Sequence, residues 1–318
     1  MKQFIKDLEF GRKVESKFSV KYRHPPREYM NGFMFVTGLA DKTGEIEATY
    51  WGGKNLEKVR NVYESFREGD VVYVSGTVGE FRDKLKIDIN EGEGIIRKTE
   101  EYEIEDFIAE SERNLEEMAS ELREIMSSIG SPHLKSLLDS FFGDAKFFEE
   151  FKKAPAAMYI HHACIGGLLE HTLNVAKLCE AAYSLYPQLD RDLLMAGAIL
   201  HDVGKLREFK ATTNIKISEE GMLRGHIIIG DELVQEKIKS IGEFPENLGL
   251  KLSHIILSHH GSNEYQSPKE PQFPEAVAVH YADELDAKLY QYMEIKEKAK
   301  ESNDFRAYSK RLGGVYLK

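Results

Sequence analysis

The feature that most constrains the fold is an apolar run that ends in a charged pair. Leu193 to Leu200 reads Leu-Leu-Met-Ala-Gly-Ala-Ile-Leu, and His-Asp-Val-Gly-Lys follows directly at positions 201–205. A run of this kind is buried in a globular protein, and burying an aspartate is costly unless its carboxylate is paired or bound to a metal. His201 and Asp202 are therefore candidate ligands of a divalent metal ion at the end of a buried helix.

Further histidines and one further aspartate share this setting, because each lies near a predicted helix end or between apolar residues. They are His171, His226, His259, His260 and Asp283. A single buried histidine is usually a core residue, but a set restricted to imidazole and carboxylate groups indicates a metal site. Such donors suit Mn²⁺, Fe²⁺, Co²⁺, Ni²⁺ or Zn²⁺. The sequence leaves open which of His259 and His260 is a ligand.

The same region points to a phosphoester as substrate. Lys205 follows Asp202 by three residues and is placed to meet a phosphate oxygen, although a lysine at a helix end is also commonly exposed. A water activated by the metal would attack phosphorus, with Asp202 and Lys205 as the catalytic residues. His161 and His162 precede a Gly-Gly pair and are candidates to line the pocket entrance.

The N-terminal part of the chain has the pattern of a small β-barrel. Alternating and apolar runs predict strands at 13–23, 32–39, 45–51, 71–78 and 85–89, with a helix at 55–66. Three strands, a helix and two strands is the order of an OB-fold, a Greek-key barrel that binds oligonucleotides.

Aromatic and basic residues of this barrel are candidates for base stacking and phosphate pairing. They are Phe33, Phe35, Trp51 and Phe81 as stacking rings, with Arg82, Lys84 and Lys86 as phosphate partners. The competing interpretation is that strand aromatics fill the barrel core. Trp51 and the segment 81–86 are the favoured contacts, because they lie at a strand end and a hairpin tip.

The order His, His-Asp, His, His-His, Asp resembles the HD-domain superfamily of metal-dependent phosphohydrolases over roughly residues 131–298. This resemblance implies that His171, His201, Asp202 and Asp283 bind one metal ion. It also implies that the three remaining histidines, His226, His259 and His260, serve a second ion, with Asp202 bridging the two.

The combination of an OB-fold with Gly-Gly-Leu-Leu-Glu-His-Thr and His-Asp-Val-Gly-Lys resembles the YhaM-type 3′–5′ exoribonuclease family over nearly the whole chain. The resemblance implies a manganese- or cobalt-stimulated exonuclease. Such an enzyme shortens single-stranded RNA, and sometimes DNA, from the 3′ end and releases nucleoside monophosphates. Two divalent ions, Mn²⁺ first among them, are the implied cofactors.

We therefore expect a multidomain protein of α and β structure, in which a five-stranded OB-fold β-barrel precedes an all-α HD domain. The expected boundaries are 1–95 for the barrel, 96–130 for an acidic linker and connecting helix, 131–298 for the HD domain and 299–318 for a C-terminal tail.

The distribution of charge is compatible with a nucleic-acid partner despite a net charge of −11. Residues 13–90 carry 13 basic and 12 acidic side chains, whereas residues 91–130 carry 4 basic and 13 acidic ones. Most of the acidity therefore lies in the connecting segment, which need not contact a ligand.

Two other functions fit the same motifs. The protein could be an HD phosphodiesterase or phosphatase for small nucleotides with a regulatory OB-fold, or a non-catalytic nucleic-acid-binding protein. The sequence shows no signal-peptide pattern and no long apolar run, so we expect a cytoplasmic protein with no membrane partner. A monomer and a homo-oligomer are equally compatible with it.

Overall fold

The computed structural model describes residues 2–82, 84–158, 162–262, 264, 267–300, 304–309 and 312–318. Its chain divides into two compact units, which are described separately. The first comprises residues 1–109 with 211–214, and the second comprises residues 110–210 with 215–318.

The first unit is built on a closed barrel. Its strands are β1 (Lys13–Tyr29), β2 (Gly32–Asp41), β3 (Gly44–Trp51), β4 (Val71–Phe81), β5 (Lys84–Asn90) and β6 (Ile95–Lys98), and helix α1 (Leu56–Glu64) connects β3 to β4. Hydrogen bonding runs in the order β1-β2-β3-β5-β4, and β4 pairs with β1 to close the barrel. The β3–β5 pairing is parallel, while β6 adds to β4. This topology confirms the predicted OB-fold.

Alternation of side chains along the strands places apolar residues inside the barrel. In β5, Ile87 and Ile89 are buried while Lys84, Lys86 and Asp88 face outward, which is the two-residue period of a half-buried strand. Asn55 caps the N-terminus of helix α1, because its side chain accepts a hydrogen bond from the backbone amide of residue 58.

The second unit is helical around one core. Its helices are α2 (Leu115–Ser127), α3 (Pro132–Phe142), α4 (Ala145–Lys153), α5 (Gly167–Leu185), α6 (Arg191–Leu200), α7 (Lys205–Glu208), α8 (Glu219–Ser240), α9 (Glu246–Ser258) and α10 (Pro274–Lys298). Every residue of α6 from Leu193 onward is buried, as the apolar run predicted. Helix α2 contributes Met118 and Leu122 to the same core, so the second half of the acidic segment packs against this unit.

Two small hairpins depart from the all-helical prediction for this part of the chain. Strands β7 (Phe209–Ala211) and β8 (Ile215–Ile217) pair after α7, and strands β9 (Arg306–Ser309) and β10 (Gly313–Tyr316) pair near the C-terminus. Each strand has only three or four residues, too few to show the alternation that predicts a strand.

In the described part of the chain, no helix combines the length and apolar character that crossing a membrane requires.

Candidate metal centre

Asp202 lies between two groups of metal-binding side chains, and each of its carboxylate oxygens faces one group. Oδ2 is 3.4 Å from Nε2 of His171 and 3.3 Å from Nε2 of His201. Oδ1 is 3.5 Å from Nε2 of His226 and 3.6 Å from Nε2 of His259. The carboxylate of one residue is thus shared between the two groups.

The ligand atoms on either side of Asp202 are close enough to serve one ion each. His171, His201 and Asp283 form one group, here called the first triad, and His226, His259 and His260 form the second triad. Within each triad the candidate ligand atoms lie within 4.8 Å of one another. The structure therefore brings together all seven residues that the sequence analysis assigned to metal, including both His259 and His260.

Two glycines allow these elements to approach one another. A Cβ atom on Gly204 would come within 2.0 Å of the carbonyl oxygen of His226, so only glycine lets the turn after Asp202 pack against α8. Gly225 adopts a φ of 70°, which favours glycine, and breaks α8 so that His226 begins its second part. His226 therefore lies at a helix start inside the range of α8, in agreement with its predicted position near a helix end.

Each of four histidines directs Nε2 at the centre because its Nδ1 is held by an outer partner. Nδ1 lies 2.8 Å from the Ala198 carbonyl in His201 and 2.7 Å from the Ile256 carbonyl in His259. In His226 it lies 3.0 Å from Glu208 Oε2, and in His171 it lies 2.6 Å from Asp286 Oδ2. An acceptor on Nδ1 fixes the tautomer that leaves Nε2 as a lone-pair donor to metal.

Several of these atoms are buried without the partner that their burial requires. Oδ1 of Asp202 and the Nε2 atoms of His226 and His259 have no hydrogen-bond partner among the described residues. Ligand atoms that each lie about 2.1 Å from the same metal ion are about 3.0–3.5 Å from one another. The distances from the Asp202 oxygens to the four histidine Nε2 atoms are close to this spacing. The orphaned atoms, their spacing and their chemistry all fit a divalent metal ion.

His171 of the first triad has a pKa shifted in the opposite direction from those of His259 and His260 of the second triad. Burial alone would lower the pKa of His171, but hydrogen bonds to Asp202, Asp283 and Asp286 outweigh it and raise that pKa well above its usual value. Burial lowers the pKa of His259, and burial with the neighbouring histidines lowers the pKa of His260 to about 3. In the absence of metal, His171 therefore keeps its proton to higher pH than a free imidazole does, whereas His259 and His260 lose theirs at lower pH.

Lys205 is buried beside Asp202 and is not the exposed helix-end lysine of the competing interpretation. Its Nζ lies 2.6 Å from Asp202 Oδ2. Burial opposes the charge on Lys205, but the carboxylates of Asp202 and Asp283 outweigh this effect and raise its pKa. Burial likewise opposes ionisation of Asp202, yet Lys205 and His201 hold its pKa well below the usual range. A permanent cation thus sits at the rim of the first triad.

Sequence reasoning missed two carboxylates that support the centre. Asp286 lies one helical turn after Asp283, and Glu208 holds both Nδ1 and the backbone amide of His226. The signal for Asp286 was its three-residue spacing from Asp283, which places both carboxylates on one helix face. Glu208 carries no comparable signal, because it reaches His226 only through the fold.

His162 supports the same network and does not line a pocket entrance. Its side chain is fully buried, and its Nε2 lies 3.0 Å from Asp286 Oδ2. The expectation of pocket lining is therefore wrong for His162. His161, the other residue in that expectation, lies outside the described residues.

The candidate nucleic-acid residues of the barrel separate into core and surface. Phe35 is fully buried and stacks on Tyr50 at 5.0 Å, so its ring is unavailable to a base and the expectation for it is wrong. Phe33 is half-buried and packs against the same core. Both rings lie on β2, where inward-facing aromatics stabilise the barrel.

The remaining candidates are exposed or half-buried. Trp51 is half-buried at the end of β3, where its Nε1 donates to Asp88 Oδ1 at 2.6 Å and Lys86 Nζ lies 5.2 Å from the ring centre. Phe81 is exposed beside Arg82, whose guanidinium carbon lies 5.2 Å from the ring centre. Lys84 is exposed at the start of β5, on the other side of the β4–β5 hairpin from Phe81.

Comparison with known proteins agrees with both units. The HD-domain family model matches residues 168–288, which include every candidate metal ligand, and the model of an OB-fold nucleic-acid-binding domain matches residues 20–96. A protein named 3′-5′ exoribonuclease YhaM from Geobacillus sp. (strain WCH70) is 34% identical over 271 residues, 85% of this chain and 81% of the relative. This chain belongs to the YhaM family.

A second YhaM relative, from Bacillus subtilis (strain 168), has the same printed name. It is 36% identical over 265 residues, which cover 81% of this chain and 80% of the relative. Among solved structures, the second OB-fold domain of replication protein A from Methanococcus maripaludis is 22% identical over 32% of this chain and 99% of that chain, with a TM-score of 0.26. That score is too low to support a conclusion.

Membership of the YhaM family confirms the resemblance that the motifs indicated. The HD domain of a YhaM protein implies dependence on a divalent metal, and the two triads provide side chains that can bind it. The OB-fold adds a domain class that binds nucleic acid.

Proposed function

We propose that this protein is a metal-dependent 3′–5′ exoribonuclease that shortens single-stranded RNA to nucleoside monophosphates, with single-stranded DNA as a second substrate. The observation that carries the proposal is the position of Asp202, whose two oxygens face separate triads of metal-binding residues. The YhaM relatives, whose name states this activity, support it.

The proposed ligands of one ion are the first triad, and those of the other are the second triad, with Asp202 common to both. When bound there, two divalent ions lower the pKa of a coordinated water and neutralise charge on phosphate oxygens. Imidazole and carboxylate donors are compatible with Mn²⁺, which we propose as the physiological ion.

The protein's own residues prepare the site for an anionic substrate. Asp202 remains ionised because Lys205 and His201 hold its pKa low. Lys205 is proposed to contact a non-bridging phosphate oxygen, because its buried ammonium group keeps its charge within reach of the centre. Glu208 and Asp286 orient His226 and His171, so that the ligand geometry exists before substrate arrives.

The reaction is hydrolysis of the last phosphodiester bond. The oxygen of water bonds to phosphorus, and the bond from phosphorus to the 3′ oxygen of the penultimate nucleotide breaks. That oxygen takes up a proton and becomes the new 3′ hydroxyl group. The terminal residue leaves as a nucleoside 5′-monophosphate.

The barrel is proposed to hold the single strand. Trp51 and Phe81 offer aromatic faces for bases, and Arg82, Lys84 and Lys86 offer positive charge for phosphates. Stacking and phosphate contacts do not depend on the base sequence. They therefore suit an enzyme that shortens single strands of any sequence. We propose a cytoplasmic location, where RNA turnover supplies the substrate.

A single-stranded RNA oligomer labelled at its 5′ end tests the function. With Mn²⁺ the wild-type protein should produce a ladder that shortens from the 3′ end, together with nucleoside 5′-monophosphates. Asp202→Ala should abolish the ladder, whereas Asp139→Ala, which changes an exposed aspartate of α3, should not. Turnover of cyclic or mononucleotides without any ladder would instead support a small-nucleotide phosphodiesterase. Binding of RNA without any turnover would support a non-catalytic protein.

A further inference from the structure

A cavity of about 400 Å³ begins at the second triad and is not used by the chemistry described above. It is lined by residues from the α9–α10 connection and the first turns of α10, among them His260, Glu270, Val277, His280, Tyr281 and Glu284. His260 belongs both to this lining and to the second triad, so the cavity adjoins the proposed reaction centre. Its size is within the range of pockets that hold small molecules.

One wall of the cavity offers an aromatic face. Tyr281 is 62% exposed although it lies on a helix whose opposite side is buried in the core. Its ring centre lies 4.7 Å from that of His280. Exposed aromatic rings next to a nucleic-acid site are typical platforms for a base.

The position of His280 in this wall is fixed by the backbone of the second triad. Its Nδ1 lies 2.7 Å from the carbonyl oxygen of His259. A Cβ atom on Gly261 would come within 2.5 Å of Nε2 of His280, so a glycine is needed where the chain passes this ring. The cavity wall is therefore in direct contact with the backbone of a second-triad residue.

The lining of the cavity is negatively charged, whereas a surface that binds a nucleic-acid backbone is positively charged. Glu270 and Glu284 contribute carboxylates, and neither lysine nor arginine occurs among the described residues that line it. Lys288 pairs with Glu284 at 2.6 Å and offsets part of this charge from outside the lining. Carboxylates accept hydrogen bonds from sugar hydroxyl groups and repel phosphates.

We propose that this cavity receives the 3′-terminal nucleoside of the RNA strand and restricts the enzyme to ends that carry a free 3′ hydroxyl group. The inference rests on the proposed function. The terminal nucleoside has one phosphate, its own 5′ phosphate, which lies at the metal centre. Its base stacks on Tyr281, and its ribose hydroxyl groups donate to Glu270 and Glu284. A 3′ phosphate would add negative charge beside these two carboxylates and is rejected.

Two 5′-labelled RNA oligomers of the same sequence, one with a 3′ hydroxyl and one with a 3′ phosphate, test the proposal. For the wild-type protein, kcat/KM should be at least about tenfold higher on the hydroxyl end, because like charges placed together are strongly disfavoured. The double variant Glu270→Gln with Glu284→Gln should bring the ratio towards one by improving trimming of the phosphate end. Glu297→Gln, which removes an exposed carboxylate farther along the same helix, should leave the ratio unchanged.

Tyr281→Ala should raise KM for the hydroxyl end by about tenfold, because base stacking is lost, while kcat and metal content change little. Equal trimming of both ends by the wild-type protein would overturn the inference, as would an unchanged ratio in the double variant.

Binding of adenosine 5′-monophosphate and adenosine 3′,5′-bisphosphate to the metal-loaded protein separates this inference from the proposed function. Preference for the monophosphate that disappears in the double variant supports the cavity even if no RNA is trimmed. Equal binding of both nucleotides contradicts the cavity even if RNA is trimmed.

Discussion

Oδ2 of Asp286 lies 2.6 Å from Nδ1 of His171, whereas Nε2 of the same ring lies 3.4 Å from Asp202 Oδ2. The same carboxylate lies 3.0 Å from Nε2 of His162 and accepts a hydrogen bond from Nδ2 of Asn174 at 2.9 Å. Three donors therefore hold the carboxylate that orients the ring of His171. Asp286, which lies outside the first triad, therefore positions one of that triad's candidate ligands.

Replacing Asp286 should weaken metal binding at the first triad selectively. Asp286→Ala removes the acceptor of His171 Nδ1, and loss of such outer partners lowers metal affinity by about 10–100-fold. Asp286→Asn keeps an acceptor without its charge and should show a smaller effect. Titration with Mn²⁺ against a competing chelator measures both sites, with Glu297→Gln as the control on the same helix. Unchanged affinity in Asp286→Ala would contradict this role.

The metal-free protein should lose stability as pH rises above neutrality because of His171. The pKa of His171 is raised in the folded state, so its contribution is fully present below the unfolded value of about 6.5. That contribution is lost as pH rises through the higher folded pKa. Denaturation of chelator-treated protein across this range should show the free energy of unfolding falling more steeply in wild type than in His171→Gln. Parallel curves for the two proteins would contradict the prediction.

Metal binding should release a proton from His171 but none from His260. His171 must lose its proton to become a ligand, whereas His260, with a pKa of about 3, is already neutral at pH 7. Calorimetric titration with Mn²⁺ in buffers of different ionisation enthalpy counts the protons released at each step. Proton release that accompanies binding at the first triad is the expected result, and binding at that triad without proton release would oppose it.

Lys205 should affect catalysis more than metal content. Lys205→Met removes the ammonium group that lies 2.6 Å from Asp202 and keeps much of the side-chain volume. Loss of one preorganised charge at a reacting phosphate lowers kcat by about 10²–10³-fold. Steady-state trimming rates and metal analysis check this, with exposed Lys210→Met as the control. Retention of full kcat would show that Lys205 only balances Asp202.

The barrel hairpin should account for part of the salt dependence of RNA binding. Arg82→Ala and Lys84→Ala each remove one exposed positive charge, and each should reduce the slope of log affinity against log salt by about 0.7. Phe81→Ala should weaken binding without changing that slope. Fluorescence anisotropy with a single-stranded oligomer at several salt concentrations measures both effects. Exposed Lys6→Ala serves as the control, and an equal loss of slope there would remove the hairpin from the interface.

The elements that the sequence predicted correctly are those with a regular pattern of apolar residues. The barrel strands follow a two-residue alternation, and the apolar run Leu193 to Leu200 lies in an interior helix, as predicted. The seven candidate ligands were recognisable because imidazole and carboxylate groups are rare between apolar residues. The small hairpins were missed, since three or four residues are too few for a period to appear.

The parts of the site that the sequence did not reveal depend on distant contacts. Glu208 reaches His226 only because Gly204 allows the turn to approach α8. Phe35 and Trp51 are both strand aromatics, and only the closed barrel shows that one is core and the other accessible. The cavity at His260 likewise requires residues of the α9–α10 connection to lie beside this candidate ligand.

The central claim is that Asp202 is shared by two metal ions, and metal stoichiometry tests it most directly. Protein loaded with Mn²⁺ and freed of excess metal should contain two ions per chain in the wild type and in the Asp139→Ala control. Because both triads lose a common ligand, folded Asp202→Ala should lose both ions under the same conditions. Two ions retained in folded Asp202→Ala, or no more than one ion in a fully active wild-type protein, would contradict the account.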